Sequence, residues 1–529
     1  MAQQLYFSRD SKLYLEFASK LWEIPVLDGF SFSQSTNTSD ITLAEMQGAD
    51  GISRRGRRLF TDSLAPAEWS FATYVRPFKT TSASANEHHA VEEALWAVMA
   101  GADTFGTTSS AASIDSVALT TDTATDREQG TYIVDSEDTT YTSGGVGTGA
   151  TFQISVNASG TANAVQVVSG GTDYASGQTF VIPAARVGGG TGDLTLTIDG
   201  LDTGSSNAFF RTTNVDANSD FDELVSMPTD VSNTINFGQS NRSVLATCNL
   251  YFVMETSATK PMVYKLSNAQ INEASIDFDV DGIATINWSG FAASVTDMQS
   301  AGDVFVQSGT SFSTSRAAGD VILDSSDDLK MGLYTAASAG VMAQDAGVDS
   351  TANFIRNRLT QCIVSTTDTA TAFPSGDYYL TLTGGNVTIA NNITYLVPEE
   401  LGQVNLPIEG VTGGRTVTGN FTCYLTLDTD GANNGSSVDL FNDMTTSGKG
   451  LDKVVNDFQV TFQIGGSSAG DPRLYITCPK VHIDVPVHSV EDVISVETGF
   501  GAYTDDFDKA DEFVLTYFGD TATANEQTY

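Results

Sequence analysis

Short runs of alternating apolar and polar residues dominate the chain and predict a mainly β protein. The most regular run, EWSFATYVRP at 68–77, places Trp69, Phe71, Thr73 and Val75 on one face. Strands dominate again from 376 to the end. Further runs predict strands at 12–17, 22–34, 243–255, 260–282, 283–295 and 357–366.

Two segments carry helical spacing instead. The run 86–101, NEHHAVEEALWAVMAG, is the best helix: Asn86 can cap it, acids lie near its first turn and Gly101 ends it. A second helix is predicted within 436–450. The apolar residues at helical spacing in the first helix are Val91, Leu95, Val98 and Met99.

The segment 127–200 differs in character from the rest of the chain. Its short, nearly uncharged strands are separated by Gly-rich turns, which is typical of a small all-β sandwich or solenoid. We interpret it as an insert. The Ser/Ala/Gly/Asp-rich segment 301–375 is predicted to be a linker or irregular region.

The last region of the chain repeats the first. The motif at 69–75 resembles 419–425, and the helix core at 95–99 resembles 440–444. Strand, helix and meander follow in the same order in both, which indicates an internal duplication. A constant offset of 211 pairs Tyr251 with Phe462, Tyr264 with Tyr475, Asp281 with Asp492, Ile283 with Ile494, and Gly290 with Gly501.

The duplication divides the chain into two modules. Module one is predicted to cover 1–126 plus 201–300, with the Gly-rich insert between its two parts. Module two is predicted to cover 376–529 without an insert. Unrelated β domains that share common aromatic positions remain the alternative.

The net charge of the chain argues against some classes of binding partner. The chain has 529 residues, with 65 acidic against 25 basic side chains and a formal charge of −40. Such a surface lacks the basic footprint of an ordinary nucleic-acid binder and is repelled by anionic membranes. A solubilising surface and a surface that repels something negative both remain open interpretations.

No motif predicts an enzyme, a metal site or a cofactor. His88 and His89 are remote in sequence from His482 and His488, and DTDGANNGSSVD at 428–439 fails the calcium-loop pattern. The four cysteines are widely spaced, as expected of free thiols. Neither a signal peptide nor a membrane span is recognisable, so we expect a protein made in the cytoplasm.

The chain resembles the tail tube proteins of long-tailed bacteriophages. The resemblance is carried by KLYLEFASKLWEIPVLDGFSFSQSTNTSDITLAEMQ, RRGRRLFTDSLAPAEWSFATYVRP, HHAVEEALWAVMAG and MVYKLSNAQINEASIDFDVDGIATINWSGFAA. It covers most of 1–105 and 235–300 and, more weakly, 376–520. The insert resembles Gly-rich β domains of phage structural proteins.

The resemblance implies a fold and an assembly. Each module is expected to be a β-sandwich with a flanking helix, contributing strands to an intersubunit β-barrel around a DNA channel. Family rings hold six modules, so two modules per chain imply three copies, with a ring of six copies as the other possibility. Rings would stack into the virion tail after assembly in the host cytoplasm. The partners implied are further copies of the chain, passing DNA, and the sheath, tape measure, terminator and baseplate or tail-tip proteins.

Alternation in the predicted channel strands suggests which residues face the lumen. In 272–281, Ala274, Ile276, Phe278 and Val280 would face the core. In 481–488, Val481, Ile483, Val485 and Val487 would do the same, and Glu273 and Asp484 would be equivalent. An acidic lumen wall would repel phosphate and let DNA slide, although an ordinary solvated face fits the same pattern. The predicted lumen-facing acids are Glu273, Asp277, Asp279, Asp281 and Asp484.

A cluster of four arginines is unusual in so acidic a chain. Arg54, Arg55, Arg57 and Arg58 precede the strand predicted at 68–77, whereas the matching segment of module two holds Arg415 alone. The fold therefore does not require the cluster. We predict that it contacts carboxylates of a neighbouring subunit or ring. A surface loop, or a contact to another tail protein, is the alternative.

A different class of function remains open. A surface adhesin or a capsid decoration protein would also be rich in β-structure, but it would not stack into tubes. The insert is expected on the tube exterior, where decoration or weak attachment to cell surfaces could be its role.

Overall fold

The computed structural model describes the chain with gaps. The described residues are 6, 10–17, 19–41, 58–79, 88–100, 113–119, 122, 124–128, 130–136, 139–141, 147–157, 159–202, 211–213, 216–217, 232–236, 245–254, 261–312, 316–327, 329–343, 354–366, 377–397, 407–427, 435–446, 458–465, 472–484, 487–490, 493–503 and 512–518.

The first part of module one is a series of strands followed by one helix. The elements are β1 (Ser11–Phe17), β2 (Lys20–Ile24), β3 (Ser31–Ser33), β4 (Thr36–Ile41), β5 (Arg58–Leu64), β6 (Ala67–Tyr74), β7 (Pro77–Lys79), β8 (His88–Ala90) and α1 (Glu93–Ala100).

The Gly-rich segment folds as two four-stranded sheets around its own core. A 3₁₀ turn at Ala184–Arg186 lies between two of its strands. The strands are β9 (Ser113–Leu119), β10 (Gly130–Asp135), β11 (Thr140–Tyr141), β12 (Thr148–Val156), β13 (Ala162–Thr172), β14 (Thr179–Ile182), β15 (Leu194–Asp202), β16 (Arg211–Thr213) and β17 (Asp216–Ala217), of which β16 pairs outside these two sheets.

The chain then returns to module one and continues into a small separate sheet. The elements are β18 (Ser232–Asn236), β19 (Cys248–Met254), β20 (Met262–Asp279), β21 (Thr285–Ala292), β22 (Ser294–Asp297), α2 (Met298–Ala301), β23 (Val304–Gln307), β24 (Val321–Asp324), β25 (Lys330–Ala336) and β26 (Ala339–Met342).

Module two follows with a similar set of elements. A 3₁₀ turn at Asn357–Leu359 precedes them. They are β27 (Gln361–Thr366), β28 (Asp377–Leu380), β29 (Leu382–Ala390), β30 (Thr394–Leu396), β31 (Glu409–Val411), β32 (Thr416–Tyr424), α3 (Ser437–Thr446), β33 (Phe458–Ile464), β34 (Arg473–Ile483), β35 (Val487–Val490), β36 (Ile494–Ala502) and β37 (Val514–Phe518).

The mainly β fold predicted from the sequence is confirmed. The face of β6 that carries Trp69, Phe71 and Thr73 is buried as predicted, and so is Val75 just beyond it. The predicted helix start is wrong, because His88–Ala90 pairs with Pro77–Lys79 and α1 begins at Glu93. Asn86, the predicted cap, lies outside the described residues.

Three groups of buried apolar side chains hold the described parts together. The largest group runs through both modules without a break, and Phe278 of module one contacts Phe462 of module two at a ring-centroid distance of 5.2 Å. The second fills the insert. The third lies between module one and the sheet β23–β26 and includes Tyr14 and Tyr251 from the first and Met331 from the second.

Strand pairing in the two modules matches position by position. In the β19–β20 hairpin Phe252 lies opposite Tyr264, and in the β33–β34 hairpin Phe462 lies opposite Ile476. The hairpins also share a β-bulge, since register shifts occur at Cys248/Leu250 and at Phe458/Val460. Phe252 and Phe462 both belong to the main core. This agreement in register and burial supports the duplication.

The predicted constant difference of 211 between the numbers of equivalent residues is wrong. In the structure the difference is 210 in some strands and 212 in others. Matching Phe252 to Phe462 gives 462 − 252 = 210, whereas matching Tyr264 to Ile476 gives 476 − 264 = 212. The offset returns to 210 at β21, because Trp288 lies opposite Phe71 and Thr498 lies opposite Phe421. The second module is therefore two residues longer between the hairpin strands and two residues shorter further on, which an ungapped comparison averages to 211.

Several of the predicted segment boundaries differ from those in the structure. The segment predicted to be irregular, 301–375, contains the sheet β23–β26. Its last strand, β27, pairs with β33 and so lies in the sheet of module two, before the predicted boundary at 376. The insert core begins with Ile114, before the predicted boundary at 127. The strand at β27 was predicted, but the short strands β9 and β23–β26 were not, because Ser, Gly and Asp are frequent in and around them.

Candidate lumen wall and contact surfaces

One continuous antiparallel sheet joins the two modules within the chain. Its strand order, read from the pairing, is β3, β6, β21, β20, β29, β32, β36 and β35. The junction between modules is the pairing of β20 with β29, which extends from Glu273 opposite Ala390 to Asp279 opposite Gly384. The eight strands belong half to module one and half to module two.

One face of this sheet is buried and the other is polar. In β20 the buried residues Ala274, Ile276 and Phe278 alternate with polar ones. Ser, Thr, Asn and Gly occupy most positions of the polar face. The described residues 272–279 of β20 and the other seven strands contain no lysine or arginine and carry five carboxylates, Glu68, Glu273, Asp277, Asp279 and Glu497.

The predicted lumen residues of module one fall at different positions. Glu273, Asp277 and Asp279 lie on the polar face of β20. Asp281 lies beyond the strand, exposed, with its Oδ1 atom 4.0 Å from Nη2 of Arg358. Val280, predicted to face the core, is 40% exposed because β20 ends at Asp279.

Asp277 accepts hydrogen bonds from two neighbouring polar side chains. It accepts a hydrogen bond from the Asn287 amide of the neighbouring strand and a long one, 3.4 Å, from the Ser275 hydroxyl. Partial burial raises the pKa of Asp277, and the nearby charge of Asp279 raises it further. Two carboxylates this close on one sheet face mark it as locally negative.

The equivalence predicted between Glu273 and Asp484 is wrong. The 212 offset matches Asp484 to Asn272, and both residues sit where the register of the strand shifts. Asp484 is exposed, and its Oδ1 atom lies 3.8 Å from Nε2 of His482. Its backbone N–H donates to the Gly499 carbonyl at 2.9 Å.

The alternation predicted for 481–488 is interrupted at that point. Val481 and Ile483 are buried, as predicted. Beyond the shift, the backbone register places Val487 opposite Glu497 and His488 opposite Val496. This is one step out of phase with the predicted pattern. Val485 lies outside the described residues.

Arg58, the last residue of the predicted arginine cluster, begins the second strand of an exposed hairpin. The strands β4 and β5 form a two-stranded ribbon of their own, with Leu59 and Phe60 each 60% exposed. Arg58 begins β5 opposite Ile41. Arg54, Arg55 and Arg57 lie outside the described residues, in the segment that connects the two strands.

Module two has a two-stranded hairpin at the same place in its topology. The strands β30 and β31 lie between β29 and β32, as β4 and β5 lie between β3 and β6. Leu396 and Val411 are each 50% exposed there. Arg415, which follows this hairpin, has its Nη1 atom 3.9 Å from Oε2 of Glu512 in the same chain. The basic residue of module two is therefore held internally.

Sequence reasoning missed a buried carboxylic acid that links the modules. Glu92, beside α1, accepts a hydrogen bond of 2.8 Å from the hydroxyl of Tyr517 in β37. The Trp96 indole N–H donates to the same hydroxyl at 2.8 Å. Burial raises the pKa of Glu92 to about 7. In the sequence Glu92 is only one of the acids near the first turn of the predicted helix, and nothing in its spacing signals the contact with Tyr517.

Candidates for catalysis remain scattered among the described residues. No three His, Cys, Asp or Glu side chains in that part of the chain come together as a group able to hold a metal ion. All four cysteines are buried free thiols. Burial raises the pKa of Cys423 and of Cys478 to about 12, which makes these thiols poor nucleophiles. No helix within the described ranges is long and apolar enough to cross a membrane.

Comparison with known proteins agrees with the resemblance seen in the sequence. The chain is 26% identical over 284 residues to "Tail tube protein pb6" of Escherichia phage T5. That match covers 54% of this chain and 50% of the T5 protein, so the chain spans about half the length of the curated relative it matches. No protein-family profile matches the chain. The predicted resemblance is confirmed: over about half its length, this chain is similar to a phage tail tube protein.

Proposed function

We propose that this protein polymerises as stacked rings into the tail tube of a long-tailed phage, assembled in the host cytoplasm and carried in the virion. The observation behind the proposal is the polar face of the eight-stranded sheet, which has five carboxylates and no lysine or arginine. The sequence similarity to a tail tube protein of phage T5 supports the proposal independently. The function is structural, and we propose no catalytic step.

The polar face would form the wall of the DNA channel. A wall with fixed negative charge repels the phosphate backbone, and hydroxyl and amide groups keep it wetted. A basic wall would instead bind DNA by releasing its counterions. Glu273, Asp277 and Asp279 would supply charge from module one, and Glu497 with Asp484 from module two.

Strand geometry favours three copies over two. Three copies of eight strands give a barrel of about 24 strands, which at ~4.8 Å spacing and a tilt near 40° is roughly 48 Å across the backbone. Side chains of about 5 Å on each side then leave a bore of roughly 38 Å. Two copies leave roughly 22 Å, about the width of duplex DNA itself, with no room for a water layer.

Contacts between rings would involve the exposed hairpins. An isolated two-stranded ribbon is marginal in water, so the β4–β5 hairpin gains from covering Leu59 and Phe60 with a neighbour. Arg54, Arg55, Arg57 and Arg58 would then meet carboxylates of the next subunit or ring, which reduces repulsion between chains of charge −40. The insert would lie outside the tube, and sheath, tape measure, terminator and baseplate or tail-tip proteins would contact the assembly.

Electron microscopy of the purified chain tests the assembly. We expect hollow tubes or rings of uniform bore, and averaged end views give the copy number. Particles without rings or tubes would contradict the proposal and favour an adhesin or decoration protein.

A pair of charge-reversal variants tests the acidic wall. Asp279→Lys with Glu497→Lys places lysines on the polar face, and tubes of this variant should retain added duplex DNA in a salt-dependent way. Asp173→Lys with Asp199→Lys makes the same change in charge at exposed sites on the insert and serves as the control. Equal DNA retention by both variants would place the polar face away from the channel.

A further inference from the structure

The pairing between the two modules inside the chain offers a template for pairing between chains. At that junction the C-terminal part of β20 runs antiparallel to β29 over seven residue pairs. Ser275 lies opposite Thr388, and their hydroxyl oxygens are 3.0 Å apart. Both strands of this junction have counterparts elsewhere in the same chain.

The counterpart of the β20 segment is β35. Ser275 lies opposite Asn287 of β21, and Val487 lies opposite Glu497 of β36. Since β21 and β36 are matched at an offset of 210, Asn287 corresponds to Glu497 and Ser275 to Val487. The same argument matches Asp277 to Ser489.

The counterpart of β29 is β3. Phe32 lies opposite Trp69 of β6, and Val387 lies opposite Gly419 of β32. Phe71 and Phe421 fix the match of β6 to β32 at an offset of 350, so Trp69 corresponds to Gly419. Phe32 therefore corresponds to Val387.

Both counterparts end the eight-stranded sheet within the described part of the chain. There β3 pairs with β6 alone, and β35 pairs with β36 alone. The equivalent strands β29 and β20 are paired on both edges. Ser31 and Ser33 are exposed at this edge. An uncovered edge offers unpaired backbone donors and acceptors to another strand.

We propose that β35 of one subunit adds to β3 of the next in the register that β20 and β29 use within the chain. The register places Val487 opposite Ser33, His488 opposite Phe32 and Ser489 opposite Ser31 of the neighbouring subunit. This inference rests on the proposed function and names the strands that close its ring. The partner is a second copy of this chain.

The absence of carboxylates from β3 and β35 is consistent with pairing between two copies of this acidic chain. The sequences SFS of β3 and VHSV of β35 contain no carboxylate, although acidic residues outnumber basic ones by 65 to 25 in the chain. Opposite positions on paired strands have Cβ atoms about 5 Å apart, where like charges destabilise. The two edges can therefore meet without the repulsion that most of this surface would impose.

A cysteine pair in the full-length chain tests the register. Ser31→Cys with Ser489→Cys changes each residue by one atom and joins matched positions about 5 Å apart. After mild oxidation of assembled rings, denaturing electrophoresis should show covalent dimers and trimers, with the ladder ending at three. The four native thiols are buried, so the wild-type chain should give no ladder.

Two further variants act as controls. Ser33→Cys with Ser489→Cys is displaced by two residues, about 7–8 Å apart, and should cross-link at least ten-fold less. Ser275→Cys with Thr388→Cys should form a bond within one chain and no ladder. If the Ser31/Ser489 variant does not assemble, the second matched pair, Ser33→Cys with Val487→Cys, provides the same readout.

The outcomes separate the register from the function. Tubes that form normally without a ladder from either matched pair, or with equal cross-linking of the displaced pair, overturn the strand register and leave the tube intact. A ladder running past three overturns the three-copy ring. A wild-type chain that forms no rings overturns the proposed function, and the register with it.

Discussion

The two modules share one arrangement of strands but differ in which strand edges remain unpaired among the described residues. Both contain a central hairpin with the same bulge, a helix after the fourth main strand and an exposed two-stranded ribbon. In module one the long strand β20 is covered on both edges, by β21 and β29. In module two the equivalent strand is divided into β34 and β35, and β35 ends the sheet of the described residues.

This difference separates what the fold needs from what assembly uses. Matched core positions such as Phe252 and Phe462 recur because each module must fill the same interior. The ribbons need not match, since little of either is buried. Four arginines accompany the ribbon of module one, whereas Arg415 of module two is already held by Glu512. The unmatched features are therefore the candidates for contacts between subunits.

The largest expected effect comes from reversing charge in the module-one ribbon. Arg57→Glu with Arg58→Glu should leave a folded subunit, because β4 and β5 pair chiefly with each other, and should abolish tubes. Sedimentation and electron microscopy measure assembly, and thermal melting measures folding. The reason is electrostatic: the proposed partner surface is acidic, so attraction becomes repulsion.

The equivalent change in module two is the control. Arg415→Glu places two carboxylates near each other and should lower stability modestly without loss of tubes. Normal tubes from the Arg57/Arg58 variant, or loss of tubes from Arg415→Glu, would remove the distinction between the two ribbons.

The second effect compares the helices. Trp96 in α1 and Phe441 in α3 are at matched positions, but Trp96 is fully buried and donates to Tyr517, whereas Phe441 is 7% exposed. Trp96→Ala should lower the free energy of unfolding by about 3–5 kcal/mol, and Phe441→Ala by an amount near the low end of that range. Urea unfolding of disassembled subunits measures both. Equal losses would show that the link between α1 and β37 adds nothing.

The third effect, intermediate in size, is a pH dependence of the free energy of unfolding that arises from Glu92 in module one. The pKa of Glu92 rises from 4.5 to about 7 on folding, so between these values the native state binds more protons than the unfolded state. Stability should therefore fall as pH rises through this window, by up to about 3 kcal/mol from this group. Glu92→Gln keeps an acceptor for Tyr517 and should flatten that slope in urea unfolding at pH 5, 6 and 7. An unchanged slope would mean that Glu92 titrates normally.

The fold class and the strands were predictable because their pattern is local. Alternation in β6 and in the middle of β20 marks strands with one buried face, and the described residues there follow it. The start of α1 was not predictable, because His88–Ala90 gains more from pairing with Pro77–Lys79 than from a further helical turn. That preference depends on a partner strand that helical spacing alone does not reveal.

The candidate site was predictable in part for the same reason. Glu273, Asp277 and Asp279 follow the alternation of one strand, so the sequence places them together. Glu68 and Glu497 come onto the same face through pairing with other strands, which no local pattern specifies. Asp484 was matched to the wrong residue, because compensating shifts of two residues are invisible without the register.

The smallest effect on the tube should come from removing the insert, whose core shares no residue with the core of the modules. Ser113 and Asp202 lie opposite each other in paired strands, so excision of 113–202 leaves two ends that a short linker can join. Tubes of this variant should form with unchanged bore and reduced outer diameter in electron micrographs. Excision at the predicted boundaries, 127–200, should aggregate, because it leaves Ile114, Val117 and Leu119 without the sheet that covers them. If the variant lacking 113–202 forms no tubes while still melting cooperatively, the insert takes part in the contact between rings, and the division between a self-contained insert and tube-forming modules is wrong.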